Sequence, residues 1–399
     1  MNKSNTLRIT TLAAALLSGS AWATDGYFPH GYGMKALGMG GASVAMTDNA
    51  FAGANNPATA AFTDSRADLG VNVFSPKRSV TQGGSTTESD RNAFLVPEFG
   101  YVGAANGALT YGLTVYGNGG MNTDYPAPVL GGPGATGVNL EQLIVAPVVS
   151  YKVSSVTSLG VSPLLVRQTF SAKGLANAFG VTAAGNDTST GLGVRVGVYT
   201  KLSDRVAFGA SYSPKTSMSK FDKYAGLFAE QGGFDIPANY AMGVAMDVSP
   251  GVKVAVDYQK IQYSGVKSIA NASLVNMGNG LGAANGPGFG WSDVNVVKLG
   301  VEWKYSEALT LRAGYNRTTN PISSADVMFN ILAPGVMTTH YTLGATHQVA
   351  KNSELTWAYM YAPQNSVTGY GLDNSYQPTV PTTIRMSQQS LGVQYSWKF

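Results

Sequence analysis

Apolar and polar residues alternate along many stretches of the chain, with the period of two that is typical of β-strands. The last ten residues, SLGVQYSWKF, are the clearest case: large apolar side chains occupy every second position from Leu391 to Phe399, with small or polar residues between them. ALTYGLTVYG (residues 108–117) and GLGVRVGVY (residues 191–199) repeat this division. The pattern predicts strands with one large apolar face and one small or polar face.

About fourteen stretches carry this pattern, and the links between them alternate between short and long. The predicted strands are residues 68–75, 93–104, 108–117, 140–153, 157–170, 189–201, 205–217, 238–248, 252–264, 293–305, 309–317, 338–349, 353–362 and 388–399. Short turns at one end and long loops at the other are typical of outer-membrane barrels with an even number of strands. Pro97, Pro147 and Pro163 interrupt three of these strands, so we expect a bulge or a local opening at each.

The composition narrows the fold class. Charged residues make up 12% of the chain, about half of the ~25% that is usual in soluble domains. Beyond the N-terminus, no stretch is apolar for long enough to form a membrane-spanning helix. We therefore predict an all-β fold: a transmembrane antiparallel β-barrel of about fourteen strands with lipid outside and a polar lumen. A soluble β-protein is the alternative, since one strand alone cannot distinguish the two.

Residues 1–23, MNKSNTLRITTLAAALLSGSAWA, have the three parts of a secretory signal peptide. Lys3 and Arg8 precede a short apolar stretch, and Ala21-Trp22-Ala23 provides small residues at the expected cleavage site. We expect the mature chain to begin at Thr24. Loss of the two basic residues lowers a formal net charge that is only +4, a balance that argues against nucleic acid as a partner.

The sequence offers little material for metal or covalent chemistry. It has no cysteine, which excludes disulfides and thiolate metal sites. His340 and His347, seven residues apart in one predicted strand, point to opposite faces and have no evident nucleophile beside them. We therefore expect neither enzymatic activity nor a cofactor or metal.

Several stretches resemble the FadL-type family of outer-membrane transporters, which includes long-chain fatty acid transporters and toluene- or xylene-type hydrocarbon channels. The matching stretches are the Gly-rich segment that ends in Asn56-Pro57-Ala58, YGNGG (116–120), GGFDIPANYAMGVA (232–245), DYQKIQYS (257–264), LTLRAGYNRTTNPI (309–322) and FNILAPGV (329–336). The resemblance covers essentially the whole mature chain. It implies a barrel of fourteen strands (residues 65–399) whose lumen is blocked by an N-terminal hatch (residues 24–64).

The resemblance also implies a route through the barrel wall. In this family apolar ligands are captured on external loops, pass to a luminal pocket and leave sideways at a kink in the third strand. The kink would lie at Gly117, Gly119 and Gly120, since glycines can leave regular pairing at little steric cost. The hatch turn at Asn56, Pro57 and Ala58 would lie against the wall of the third strand.

Five residues are candidates for ligand contact. By the resemblance, Phe28 near the mature N-terminus reaches into the pocket, and Tyr116 adjoins the kink. A fatty acid carboxylate needs a cationic partner. Arg167 matches a headgroup position of the family, although Pro163 leaves its direction ambiguous. Alternation places Lys298 and Arg312 in the lumen.

Two alternatives remain open for these charges. Ser292 stands where the family has a second basic headgroup residue, which weakens the case for a carboxylate and leaves uncharged hydrocarbons possible. The inward cations could instead form cross-strand ion pairs with acidic residues of the same face, among them Asp257, Glu302 and Glu354.

Large apolar residues of the predicted external loops are candidates for a first landing surface for the ligand. Packing within the loops is the alternative role. The candidates are Leu227, Phe228, Phe234, Phe329, Ile331 and Leu332.

The sequence thus predicts an outer-membrane channel that takes up hydrophobic compounds, with long-chain fatty acids as the first candidate substrates. Aromatic hydrocarbons are the alternative substrates; a general porin for hydrophilic solutes fits less well because the inner faces are small and weakly charged. The predicted partners are apolar small molecules, outer-membrane lipid, lipopolysaccharide and the barrel-assembly machinery, whose signal the terminal Phe399 resembles. We expect a monomer.

Overall fold

Fourteen long antiparallel strands close into a barrel in a computed structural model of the chain, which describes residues 25–130 and 134–399. The predicted signal peptide and Thr24 lie outside the described residues. A short strand, β2 (Ser85–Glu88), pairs with the end of β1. The barrel strands are β1 (Arg66–Gln82), β3 (Phe94–Asn106), β4 (Leu109–Tyr125), β5 (Thr136–Lys152), β6 (Thr157–Lys173), β7 (Asp187–Lys201), β8 (Val206–Ser213), β9 (Asn239–Ser249), β10 (Val252–Ile261), β11 (Val294–Lys304), β12 (Leu309–Thr318), β13 (Thr339–Ala350), β14 (Ser353–Gly371) and β15 (Val380–Lys398).

Each strand pairs with its neighbours in the sequence, and the last strand pairs with the first. The β1–β15 pairing runs from Arg66 opposite Lys398 to Gln82 opposite Thr382. Because the first strand pairs with the last, most backbone hydrogen bonds of the wall are met inside the sheet, as a bilayer requires. The predicted β-barrel is therefore confirmed.

Alternation places the two faces of each strand as predicted. On β1, Val71 and Val73 are exposed on the outside, whereas Asn72 and Phe74 are buried inside. Trp303 and Tyr305 lie next to a short turn with their ring centroids 5.0 Å apart, and both are exposed. Exposed aromatic residues at strand ends form the interfacial girdle of membrane barrels.

Several strands are longer than predicted. The prediction ended them too early because their outer ends lack the alternating large apolar residues on which it relied. β14 continues to Gly371 and β15 begins at Val380, through stretches rich in Ser, Thr and Gly. Pairing between β5 and β6 stops after Val145, which lies opposite Leu165, and resumes where Val149 lies opposite Val161. Pro147 and Pro163 lie inside this interval, in which a proline cannot donate to the ladder.

Short helical turns occupy the segments between strands and the N-terminal region. The α-helical turns are Met34–Gly38, Ala176–Phe179, Ala229–Gly232, Lys267–Ala270 and Val327–Asn330; the 3₁₀ turns are Pro57–Phe62, Asp222–Tyr224, Tyr263–Gly265, Met277–Asn279 and Ser324–Asp326. Among the described residues, no helix is long and apolar enough to cross a membrane.

Residues 25–62, here called the N-terminal segment, lie inside the barrel and are almost entirely buried. This irregular segment leaves many backbone N–H groups without a partner of its own, and inward side chains of the wall accept their hydrogen bonds. Gly33 N donates to Glu98 Oε2 at 3.0 Å, and Met34 N donates to Gln394 Oε1 at 2.9 Å. Ser43 N donates to Asp257 Oδ2 at 2.7 Å. The polar inner face thus positions the segment.

Candidate functional site

The barrel wall is interrupted between β3 and β4. Their pairing ends at Phe99 opposite Val115. Beyond that point, residues 94–98 of β3 and residues 116–125 of β4 do not pair with each other. The first stretch pairs only with β1, and the second pairs only with β5, with one irregularity. This interruption is here called the lateral gap. It lies in the half of the wall that carries the long loops.

A β-bulge in β4 begins directly beside the gap. Gly117 pairs with Leu143 and Gly120 pairs with Glu141, so two residues of β4 face one residue of β5. Gly119 has φ +105°, and a Cβ built on it would overlap the carbonyl oxygen of Tyr27. Only glycine suits both the backbone conformation and the close approach of the N-terminal segment.

A chain of side-chain hydrogen bonds crosses the inner wall at the level of the bulge. Tyr32 OH donates to Asn118 Oδ1 at 2.7 Å, and Asn118 Nδ2 donates to Gln142 Oε1 at 3.1 Å. Gln142 Nε2 donates to Gln168 Oε1 at 2.9 Å, and Gln168 Nε2 donates to the Phe234 carbonyl at 2.6 Å. The chain joins the N-terminal segment, the bulge, two further strands and an external loop. Sequence reasoning missed the two glutamines, although alternation places both on the inner face.

An apolar cavity adjoins the unpaired stretch of β4. Its walls come from β1, from β4 just beyond the bulge, from β15 and from two external loops. The lining residues are Phe74, Pro76, Arg78, Gly120, Met121, Asn122, Trp291, Ala333, Pro334, Gly335 and Met386. Arg78 is the cation of this lining, and sequence reasoning missed it because β1 was predicted to end at residue 75.

The start of the N-terminal segment belongs to an aromatic cluster beside this cavity. Tyr27 and Phe28 are fully or almost fully buried, and the Tyr27 ring lies 5.4 Å from the Tyr263 ring and 6.3 Å from that of Trp291. Tyr263 OH donates to the Asp25 carbonyl at 2.7 Å and accepts from Tyr27 N at 3.0 Å. The predicted contact residue Phe28 is thus near the cavity but is not among its lining residues.

Tyr116 is completely buried under the N-terminal segment. Its ring packs edge-on against Tyr32 with centroids 4.6 Å apart. Arg195 Nη1 donates to Tyr116 OH at 3.4 Å and to the Gly53 carbonyl at 2.9 Å. In this structure Tyr116 therefore supports the segment next to the bulge.

The structure contradicts the prediction for Arg167. Its side chain is exposed on the outer face of β6 and reaches Thr188 on the neighbouring strand. Alternation continues unbroken through Pro163, so Val161, Leu165 and Arg167 share the outer face. Arg167 cannot bind a luminal headgroup from this position.

Lys298 faces the lumen in a row of polar residues on four adjacent strands. Register pairs Asp257 with Lys298, Lys298 with Asn316, and Asn316 with His340. Lys298 Nζ donates to the His30 carbonyl and to Gln259 Oε1, each at 2.8 Å. The ammonium group thus holds the N-terminal segment to the wall, and the Lys298 side chain borders a polar cavity together with Phe28.

Arg312 also faces the lumen, where acidic residues neutralise it. Its guanidinium lies 2.6 Å from Glu302 and 3.7 Å from Asp48 of the N-terminal segment. Lys35 of the same segment lies 3.0 Å from Glu354. These contacts realise the alternative of an ion-pair network, in which Arg312 is neutralised by acidic residues and secures the segment.

The six loop residues expected at a landing surface are buried. Each exposes 7% of its surface or less, because the external loops fold over the barrel and pack their apolar side chains together. Phe228 packs against Phe170 and Phe234 with ring centroids 4.7 and 4.9 Å away. Internal packing, the alternative role, is what the structure shows for Leu227, Phe228, Phe234, Phe329, Ile331 and Leu332.

We expected the Asn56-Pro57-Ala58 turn to lie against the third barrel strand, β4. The turn instead bonds to β5, β6 and β7. Asn56 Oδ1 accepts from Ala58 N at 3.1 Å and so caps the following 3₁₀ turn. Asn56 Nδ2 donates to Val44 O at 2.9 Å and to Val198 O on β7 at 3.0 Å. The Ala58 carbonyl accepts from Ser158 Oγ on β6 at 2.7 Å.

Comparison with known families identifies the chain. Residues 14–399 match the model of the outer membrane protein transport protein (OMPP1/FadL/TodX) family. The chain belongs to this family. It is therefore an outer-membrane β-barrel of a family of transport channels for hydrophobic compounds. No curated protein sequence matches the chain.

Solved structures with the same fold include two toluene transporters and a FadL homologue. The P. putida toluene transporter TodX is 20% identical with a TM-score of 0.71, and the match covers 93% of this chain and 99% of that one. A Pseudomonas aeruginosa FadL homologue is 16% identical with a TM-score of 0.73, covering 94% and 99%. The Ralstonia pickettii toluene transporter TbuX is 19% identical with a TM-score of 0.67, covering 93% and 99%. At these identities the likeness shows the fold.

Within the described part of the chain, no three His, Asp or Glu side chains converge closely enough to hold a metal ion. Lys35, Lys298 and Arg312, among the charged groups of the lumen, instead bond to acidic residues or hold the N-terminal segment to the wall. The site that the geometry offers is the apolar cavity beside the lateral gap.

Proposed function

We propose that this family member takes up long-chain fatty acids by carrying them from the external loops to the luminal cavity and out sideways through the lateral gap. The observation that carries the proposal is the position of an apolar cavity directly against the unpaired stretch of β4. Moving an alkyl chain back into water costs about 0.8 kcal/mol per CH₂ group. A lateral exit into the bilayer avoids that cost.

The N-terminal segment would act as the hatch of this route. It occupies the lumen below the cavity, and its ion pairs and hydrogen bonds fix it to the wall on several sides. The stretch at residues 25–28 is held differently, by aromatic contacts and the Tyr263 hydroxyl. We propose that ligand entry displaces this stretch and uncovers the bulge, while the rest of the segment stays in place.

Initial capture would fall to apolar residues that the loops leave exposed. Val275 is 84% exposed at the tip of the loop between β10 and β11. Phe179, half-buried on the loop between β6 and β7, stacks on Phe329 with ring centroids 5.0 Å apart. Val275 would thus offer the landing surface first expected of the buried loop residues, and Phe179 would connect that surface to the apolar interior.

Aromatic hydrocarbons are a second candidate class, because two of the solved structures with this fold are toluene transporters. The same cavity and gap would serve both classes. A general porin is disfavoured because the N-terminal segment fills the lumen.

Three measurements test the proposal. Mass spectrometry of apolar molecules that co-purify with the barrel should detect fatty acids or hydrocarbons. Liposomes containing the protein should not swell in iso-osmotic sugar solutions, whereas uptake of a fatty acid by cells should depend on the protein. Rapid swelling together with unchanged fatty acid uptake would favour a porin and contradict the proposal.

A further inference from the structure

The cavity beside the lateral gap contains a buried arginine without an acidic partner. Arg78 projects inward from β1 and is 4% exposed. Among the described residues, no carboxylate lies within ion-pair distance of its guanidinium, whereas Arg312 and Lys35 are each paired with acidic groups. A buried charge without a partner of opposite charge is costly to maintain. In a ligand cavity, such a cation indicates a ligand with an anionic group.

The hydrogen bonds of Arg78 join the two sides of the gap. Nη1 donates to the Asn122 carbonyl at 2.6 Å and to Asn122 Oδ1 at 3.2 Å, on the stretch of β4 that lacks β3. Nη2 donates to the Arg91 carbonyl and to Asn92 Oδ1, just before β3 begins. Where backbone pairing is missing, this guanidinium therefore connects the strands. Its Nε has no partner.

The surroundings of Arg78 suit the end of an amphipathic molecule. Phe74, Met121 and Trp291 line the same cavity and provide the apolar contact. Arg195, the other lumen-facing arginine without an ion pair among the described residues, donates to carbonyls of the N-terminal segment and borders a polar space instead. Arg78 therefore combines an apolar cavity with a cation that no carboxylate neutralises.

We infer that Arg78 binds the carboxylate of an amphipathic ligand whose alkyl chain lies in the cavity, and that this binding loosens the gap. The inference rests on the proposed uptake of apolar compounds and selects carboxylic acids among them. A carboxylate forms charge-assisted, bidentate hydrogen bonds with a guanidinium, about twice as strong as bonds to neutral carbonyls. The ligand thus outcompetes the Asn122 carbonyl and frees β4 from its link to β1.

Trp291 provides a direct readout, because it lines the cavity and the other three tryptophans of the described chain are exposed on the barrel exterior at Trp303, Trp357 and Trp397. In a variant with those three replaced by phenylalanine, brominated ligands that enter the cavity quench Trp291 emission. We would titrate the purified full-length barrel at pH 8 with 9,10-dibromostearic acid, its methyl ester and 4-bromotoluene. Folding of each variant is checked by heat-modifiable migration on gels.

The acid should bind at least about tenfold more tightly than its ester, as expected for one charge-assisted interaction. Arg78→Met should weaken binding of the acid until it matches that of the ester and so remove this preference, and Arg78→Lys should retain part of it. Arg385→Met is the matched control. Arg385 faces outward from β15 and lies opposite Ser79, the residue that follows Arg78, so its loss should not change the preference for the acid.

Equal binding of the acid and the ester by the parent barrel would overturn the inference without any Arg78 variant. A preference that survives in folded Arg78→Met would overturn it as well. If quenching by the ester and bromotoluene persists in either case, the proposed uptake function stands. Absence of quenching by all three ligands would instead overturn the proposed function and, with it, the inference.

Discussion

The carbonyl oxygen of Tyr27 occupies the space into which any side chain at Gly119 would project. This contact places the start of the N-terminal segment on the β-bulge that borders the lateral gap. Two structural requirements therefore coincide at Gly119: a backbone φ of +105° and room for another segment of the chain.

Replacement of Gly119 by alanine should displace residues 25–28 from the bulge. Tyr27 packs against Trp291, so in the single-tryptophan background the emission of Trp291 should shift to longer wavelength as water enters. Gly180→Ala is the matched control, because Gly180 also has positive φ but nothing within reach of an added Cβ. An unchanged spectrum for Gly119→Ala would show that the bulge does not hold the segment.

Replacement of Asn56 by alanine should loosen the turn that fixes the N-terminal segment to β7. The change removes a cap and two further hydrogen bonds, one buried and one partly buried, a local loss of about 1–3 kcal/mol. We expect uptake of an apolar substrate to fall while the barrel keeps its heat-modifiable migration. Asn55→Ala, which removes the bond from Asn55 Nδ2 to the Tyr32 carbonyl, serves as the control. Normal uptake by Asn56→Ala would contradict the anchoring role.

The docking of residues 25–30 should respond to pH through two groups of opposite sign. Burial raises the pKa of the Asp25 carboxyl to about 6, partly offset by Lys298 and Asn316. Its contribution to docking is full below its ordinary value of 3.8 and is lost as the pH rises through 6. Burial, together with His340 and Lys298, lowers the pKa of His30 well below 6.5, so its contribution is full above 6.5 and is lost at lower pH.

Variants separate the two effects. In Asp25→Asn, docking should weaken steadily as the pH falls below 6.5; in His30→Gln, docking should strengthen as the pH falls through 6. Trp291 emission between pH 4 and pH 8 reports both through its contact with Tyr27. The same direction of change in both variants would refute this assignment.

Replacement of Val275 by aspartate should slow uptake most at low ligand concentration. The side chain is exposed on an external loop, so the substitution disturbs capture without removing core packing. Val156→Asp, at an exposed position in a short turn at the other end of the barrel, is the control. Identical uptake rates for the two variants would exclude Val275 from capture.

The fold could be predicted from the sequence because the alternation of residues within each strand indicates which side chains face the lumen and which face lipid. Alternation at Leu391–Phe399 reports burial on one face and lipid on the other without knowledge of any neighbour. The same rule extended through Pro163 would have placed Arg167 outside. Extended beyond residue 75, it would have placed Arg78 inside with Phe74 and Pro76.

Loop packing could not be predicted in this way. Phe179 and Phe329 stack although a hundred and fifty positions separate them, and no local pattern indicates that contact. The burial of Phe228 and Ile331 depends on several loops that fold over the barrel together. The lateral gap could not be predicted either, because it consists of missing hydrogen bonds between β3 and β4, which are seen only in the register of the folded strands.

A disulfide across the lateral gap tests the central claim most directly. The chain has no cysteine, and Pro97 and Gly117 are two positions beyond the last β3–β4 pair, Phe99–Val115. A cysteine pair at these positions would join the strands at the gap, whereas a pair at Tyr101 and Leu113, which already face each other, would not alter it. Oxidation of the first pair should stop uptake of a fatty acid and reduction should restore it, with the second pair unaffected. Uptake at the parent rate through a barrel with the gap verifiably cross-linked would contradict lateral exit.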